Sequence, residues 1–406
     1  MHVLFIAPHF PDAQKRFVAA LKQVGAKVTG IGEPHANDVP QHIAQYLDDW
    51  EQVSNVTDES ALYDAVRRVQ AREWVDRLET TIEAHMMAAA RVREACTIPG
   101  LTIEQTLRVR DKTVMKDFMR ENGIPCAASA LAKSADDVIA FGRHHGYPII
   151  LKPRDGAGAN STWKVDSEDD LAAALHDTGV IHGNPIAVEE FVDGHEGFYD
   201  TIIVNGQIRH DFISHYYPNV LEAMRHRWIS PMIICTNQHD APGYAELKEM
   251  GAKVINSLGL INAPTHMEWF FGEKGLKFSE IGARPPGVSH WGVYSAANDI
   301  DLYKEWADGI VHSNTWGTAS RRFAAAQLAL RPTQDGHIAG YEGLEAMQAK
   351  YGDLVFDSYF PPVGSPTQPI EKGYKANAWI HIRHPDFDTL KNICMEIANS
   401  VKVIAA

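Results

Sequence analysis

The stretch from His266 to Arg284, HMEWFFGEKGLKFSEIGAR, spaces two carboxylates and an arginine so that they could hold a divalent cation beside a catalytic charge. Apolar and aromatic residues flank Gly272-Glu273-Lys274-Gly275, a turn signal, so the segment reads as an antiparallel hairpin. A three-residue loop at 273–275 would put Glu268 directly opposite Glu280. Facing β-carbons then lie roughly 5 Å apart, and like charges repel there unless a cation lies between them. Magnesium, which prefers oxygen ligands, meets that need. Period two along the second strand sends Glu280, Gly282 and Arg284 to one face, so a metal-held phosphate and a cation would be neighbours. The solvated, charged side of an ordinary hairpin would carry the same residue types.

Two further segments bear on phosphate chemistry. Lys152-Pro-Arg-Asp-Gly-Ala-Gly-Ala-Asn-Ser-Thr162 is rich in small residues that let backbone N–H groups approach phosphate oxygens, with Gly156, Gly158 and Ser161 as its candidate contacts. A P-loop or a dinucleotide loop would open a helix, but Ser161 to Val165 reads as a strand. The loop therefore joins two strands, as a flap over a nucleotide or as a plain hairpin tip, and Lys152 ends the first strand. Val188-Glu189-Glu190-Phe191-Val192 leads into Asp193-Gly194-His195-Glu196. A strand end with paired carboxylates before a turn suits a hinge whose backbone reads an adenine and whose side chain reads a ribose. It equally suits a solvated edge strand.

The elements that position these groups are legible to different degrees. Val3 to Ala7, a helix near 13–24 and a strand at 27–30 form a β-α-β unit, hence a parallel sheet. A long helical pattern covers about 59–96. Asp111-Lys112 opens a helix that stops at Asn122-Gly123-Ile124-Pro125. Residues 125–190 read as a compact α+β unit, with Ser134 capping a helix and a strand at 149–152. Long strands follow, with Asn205-Gly206 as a hairpin turn and a helix near 244–258. A helix near 386–399 closes the chain. His290, Trp291 and Arg331 are candidates for substrate contact, and the polar run His210, Asp211, His215, Arg225, His226 and Arg227 either contacts nucleotide or substrate or is solvated.

Composition sets outer bounds. The 406 residues, 45% apolar, suit an enzyme of two or three domains, and 38 basic against 52 acidic side chains leave a net charge of −14. That balance argues against nucleic acid or an anionic membrane as partner. Cys96, Cys126, Cys235 and Cys394 form no CxxC pair, which suits structural thiols in a reduced compartment. The start lacks the pattern of a signal peptide, and no stretch approaches the ~20 apolar residues of a membrane span, so the expected location is cytoplasmic.

In order along the chain, Asp111-Lys112, Lys152 with its glycine flap, Glu189-Glu190 and Glu268 with Glu280-Ile-Gly-Ala-Arg284 resemble the ATP-grasp superfamily over residues 1–320. The leading β-α-β unit and the trailing region resemble its biotin-carboxylase-like and L-amino-acid-ligase branch. The resemblance implies an α/β and α+β protein: a pre-ATP-grasp domain at 1–110, an ATP-grasp domain at 111–320 with a lid at about 125–190, and a C-terminal domain at 321–406. It implies that Lys112 and Lys152 hold ATP phosphates, with Gly156, Gly158 and Ser161 in the flap, and that Glu189, Glu190, Val192 and Glu196 contact the nucleotide. Glu268 and Glu280 would hold Mg2+, or Mn2+ in its place, and Arg284 would stabilise an anionic intermediate. Gly282 stands where the family pattern has asparagine, which leaves the metal count open. Val288 stands where biotin carboxylases place a glutamate, which argues against a carboxylase. The implied activity is ATP-dependent joining of a small carboxylate to an amine, both of them amino acids in an L-amino-acid ligase, with release of ADP and phosphate. A homodimer is compatible with the family. Open beside it are another ATP-grasp ligase or carboxylase with a different acceptor, and an idle nucleotide-binding module.

Overall fold

A computed structural model describes residues 1–155 and 162–406. The opening β-α-β pattern folds as expected into a parallel sheet of β1 (His2–Ile6), β2 (Lys27–Gly32), β3 (Asp49–Gln52) and β4 (Arg77–Glu79), in the order β3-β2-β1-β4. Val3, Leu4, Phe5 and Ile6 are all fully buried, because helices cover both faces of such a sheet. The long helix expected over 59–96 is a correction: it is two helices, Glu59–Gln70 and Met86–Ala95, with β4 between them. β4 has only three residues, and its Arg and Glu are good helix formers, so it carries no period-two signal. Pairing with β1 and complete burial of Leu78 override that propensity.

The 125–190 unit is an antiparallel sheet of β5 (Ser129–Ala132), β6 (Ile149–Pro153), β7 (Trp163–Val165) and β8 (Ile186–Glu190), ordered β5-β8-β6-β7. Ser134 caps its first helix by accepting from the Asp137 amide at 3.2 Å.

Below it lies the largest sheet. Its strands are β9 (His195–Val204), β10 (Gln207–Tyr217), β11 (Met232–Cys235), β12 (Ala263–Gly272), β13 (Gly275–Gly282) and β14 (Ala324–Leu330). Beyond β15 (Ile338–Glu342), β16 (Val355–Tyr359) and β17 (Ala378–His384) join the same sheet, and β18 (Lys402–Ala405) pairs with β15. Among the described residues the order is β13-β12-β9-β10-β11-β14-β17-β16. The boundary expected near 320 thus lies between β11 and β14, which are neighbours in one continuous sheet. Asn205 and Gly206 both take positive φ, +55° and +73°, the backbone a tight β9–β10 turn requires.

Aromatic packing ties the first sheet to the large one. Phe17, on the helix Lys15–Gln23, meets Trp306 edge-on with centroids 5.2 Å apart, and also contacts Tyr303 and Trp291. Each such pair contributes about 1 kcal/mol beyond its buried area. No helix among the described residues is long and apolar enough to cross a membrane.

Candidate active site

Glu268 and Glu280 face each other, by a route different from the expected one. The β12–β13 turn has two residues, Glu273 and Lys274, between paired Gly272 and Gly275. On that register alone Glu268 would face Ser279. A bulge at Ser279 shifts the pairing by one, so that Glu268 pairs with Glu280. It also separates two faces: Trp269, Phe278, Met267 and Ile281 enter the core beneath, while both carboxylates line a cleft of about 670 Å³.

Lys112 and Lys152 line the same cleft. Asp111 positions the first by capping the helix Lys112–Glu121, accepting from the amides of Thr113 and Val114 at 3.0 and 3.1 Å. Its other oxygen takes Arg154, and the Lys112 amide donates to the Arg154 carbonyl at 2.9 Å, which pins this helix to the end of β6. Lys112 Nζ lies 3.5 Å from Glu280. Lys152 Nζ lies 2.9 Å from Glu189, whose same oxygen is 3.3 Å from Lys116. Burial by itself would raise the Glu189 pKa, but Lys116 and Lys152 outweigh it and hold the group at about 2. Glu280 is likewise lowered, its burial outweighed by Lys112 and Lys152. Lys116, 2% exposed, was not anticipated from sequence; its place one helical turn after Lys112 was the available signal.

The expected hinge residues Glu189, Glu190 and Val192, and the expected nucleotide contact Glu196, also line the cleft. Glu189 points its carboxylate at the two lysines, and Glu190 pairs with Lys274 of the β12–β13 turn. Glu196 accepts from the Val220 amide at 2.7 Å, and burial first, then the charge of Glu268, raises its pKa to about 8. Gly156, Gly158 and Ser161 lie outside the described residues.

Arg284 completes the ring. Its Nε is 2.9 Å from Glu83, just past β4 of the first sheet, and Glu83 also pairs with Arg110. Glu83 is a second residue missed in sequence, hidden in the segment misread as helix. A Cβ built on Gly282 would lie 3.3 Å from Arg284 Cγ, so glycine leaves room for the arginine side chain. His266 holds Asp200 at 2.7 Å and lies 3.6 Å from Glu268. Burial would lower the His266 pKa, but Asp200 raises it to about 9.

Of the weaker candidates, His290, Arg225 and His226 line the cleft. Trp291 instead packs in the core against Phe17 and Tyr303, and Arg331 donates to the Ala223 carbonyl at 2.5 Å. His210 is buried against Glu305 at 3.0 Å and His215 against His195 at 2.8 Å, and half-buried Asp211 pairs with His239 at 2.8 Å, so these three serve structure.

The family model for the ATP-grasp domain matches residues 117–298. Those residues are an ATP-grasp domain. The match spans the lid, the β9–β13 part of the large sheet, and Arg284. An L-arginine-specific L-amino acid ligase of Bacillus subtilis is 28% identical over 241 residues, covering 58% of this chain and 57% of that protein. The chain spans about half the length of the curated relatives it matches. The crystal structure of an L-amino acid ligase from Bacillus licheniformis superposes with a TM-score of 0.77 at 18% identity, covering 100% of this chain and 98% of that one. An N5-carboxyaminoimidazole synthetase from Staphylococcus aureus, solved with ADP, gives 0.70 at 14% identity, covering 98% and 96%. Both likenesses show that this chain shares the fold of those proteins over nearly its whole length.

The donor set suits magnesium. Among the described residues no group of three or more His, Cys, Asp or Glu converges as a metal cage. Two facing carboxylates do, and magnesium is bound by one or two carboxylates with its shell completed by water and substrate phosphates.

Proposed function

We propose that this protein is an ATP-dependent carboxylate–amine ligase that joins two amino acids through an acyl phosphate. The observation that carries this reading is the convergence of Lys112, Lys152, Glu268, Glu280 and Arg284 on one cleft, between a lid and a sheet. Glu268 and Glu280 would hold Mg2+, which when bound neutralises phosphate charge.

Lys152 and Lys112 orient the ATP phosphates, and the Glu189–Val192 strand end receives the adenine. A substrate carboxylate oxygen attacks the γ-phosphorus; the bond to the β-phosphate oxygen breaks, giving acyl phosphate and ADP. The ammonium of the second substrate gives up one proton to solvent, its nitrogen attacks the acyl carbon, the C–O bond to phosphate breaks, and the nitrogen loses a second proton as the amide forms. Arg284, held by Glu83, stabilises the oxygen that gains charge in the tetrahedral intermediate, a contribution of about 3 kcal/mol for one preorganised donor. The lid keeps water from the acyl phosphate.

The test is ADP, AMP and phosphate release with Mg-ATP and pooled amino acids, beside Glu280→Gln. ADP and phosphate that depend on amino acids and vanish in the variant are expected; AMP in place of ADP would overturn the mechanism. Turnover with bicarbonate alone would assign a carboxylase, the outcome that the apolar Val288 at the cleft disfavours.

A further inference from the structure

The cleft changes character across the sheet. Following paired strands, its wall carries Glu280 on β13, Glu268 on β12, then Glu196 and Phe198 on β9, and finally Tyr216 on β10 and Ile233 on β11. The lid docks at the acidic edge, where the Phe278 amide of β13 donates to the Pro125 carbonyl at 2.7 Å. The far half lies away from it and is closed from three sides. Val220 and Met224 come from the helix Val220–Arg225, Val288 from the loop after Arg284, and Tyr374 from the C-terminal region. Tyr216, Ile233 and Tyr374 are buried members of one hydrophobic core, and Val220, Met224 and Val288 pack against that core from the cleft side. At the rim of this half Glu222, Arg225 and Glu371 are exposed, and at its inner border buried Glu196 accepts from the Val220 amide.

We infer that this half is the side-chain subsite for the acid substrate, and that it selects an amino acid with an apolar side chain. The inference rests on the ligase reading and deepens it. One loop carries both Arg284 and Val288, so a substrate whose carboxylate reaches Arg284 lays its side chain against Val288, Met224 and Tyr216. A charged side chain laid against Val288, Met224 and Tyr216 would lose its water to aliphatic and aromatic neighbours, while Glu222, Arg225 and Glu371 stay at the exposed rim. An apolar side chain gains the area it removes from water, and a subsite of this kind separates substrates by 10-fold or more.

The closing experiment measures ADP release and product mass for the full-length protein with Mg-ATP, a constant small amine substrate such as alanine, and one test acid at a time: leucine, methionine, phenylalanine, arginine, lysine or glutamate. Kcat/KM at least 10-fold higher for the apolar group is expected. Met224→Gln should lower kcat/KM for leucine about 10-fold with the KM for ATP unchanged, and Met224→Leu should keep it. Turnover of arginine or glutamate equal to that of leucine, or a leucine response unaltered in Met224→Gln, would overturn the subsite while leaving the ligase standing. ADP release with none of the amino acids would overturn the ligase reading and the subsite with it.

Discussion

The two halves of the cleft share one sheet and solve opposite problems. In the lid-side half charge is concentrated and held by opposite charge: Glu189 lies against Lys116 and Lys152, Glu280 beside Lys112, Arg284 against Glu83, and Glu268 beside His266. In the far half the walls are aliphatic and aromatic, continuous with the core. A phosphoryl transfer needs fixed charges that do not reorganise as the reaction proceeds, whereas selection of a side chain needs only shape and dryness. The difference teaches that mutations in the two halves should separate kinetically: the first half sets rate and stability, the second sets which acid is used.

The sharpest way to break the charged half is at its most enclosed member. Glu189→Gln leaves Lys116 and Lys152 facing each other without a counter-charge, and removing one partner of a buried pair costs about 3–5 kcal/mol. Denaturant melts of wild type and variant at neutral pH measure it. The folded pKa of Glu189, about 2, lies below its ordinary 4.5, so its contribution is present above pH 4.5 and is lost as pH falls toward 2. The gap between the two proteins should therefore narrow through that window; a gap independent of pH would show that charge is not its source.

Arg284→Gln tests rate where Glu189→Gln tests stability. Kcat should fall roughly 10²- to 10³-fold, with the KM for ATP held within a few-fold, because in the proposed mechanism the guanidinium faces the acyl oxygen that gains charge rather than the nucleotide. A large rise in the KM for ATP with kcat preserved would move Arg284 from the acyl centre to the phosphates. Glu83→Gln should reproduce the loss in part, since it orients the arginine without touching substrate.

How much of this was readable beforehand follows from the range of each signal. The β9–β10 hairpin, the Asp111 and Ser134 caps and the facing of Glu268 and Glu280 depend on residues close in sequence, and all are present. Sequence spacing brings the carboxylates together through a three-residue loop, whereas a shorter turn and the Ser279 bulge produce the pairing. A bulge has no pattern of its own and cancels against a turn-length error. β4 and Glu83 were hidden because a three-residue parallel strand is defined by its partner 74 residues away, Val3 for Arg77, and by nothing local. The apolar subsite was equally illegible: Met224, Val288 and Tyr374 come from three separate segments, and each alone reads as an ordinary apolar residue.

The smallest expected effect lies at Gly282, inside the charged half. An added methyl would press on Arg284 Cγ from 3.3 Å, and that side chain cannot easily yield, since its Nε is held by Glu83 at 2.9 Å and its Nη1 by the Pro285 carbonyl at 2.8 Å. Gly282→Ala should displace the guanidinium by a few tenths of an ångström without unfolding β13, where the glycine backbone is ordinary strand. Kcat should drop a few-fold, the melting midpoint should hold or rise slightly because alanine is the better strand residue, and the preference among acids should be unchanged. A shift in that preference would mean that the two halves are mechanically coupled through the Arg284–Val288 loop, and that rate and selection are not separable in this cleft.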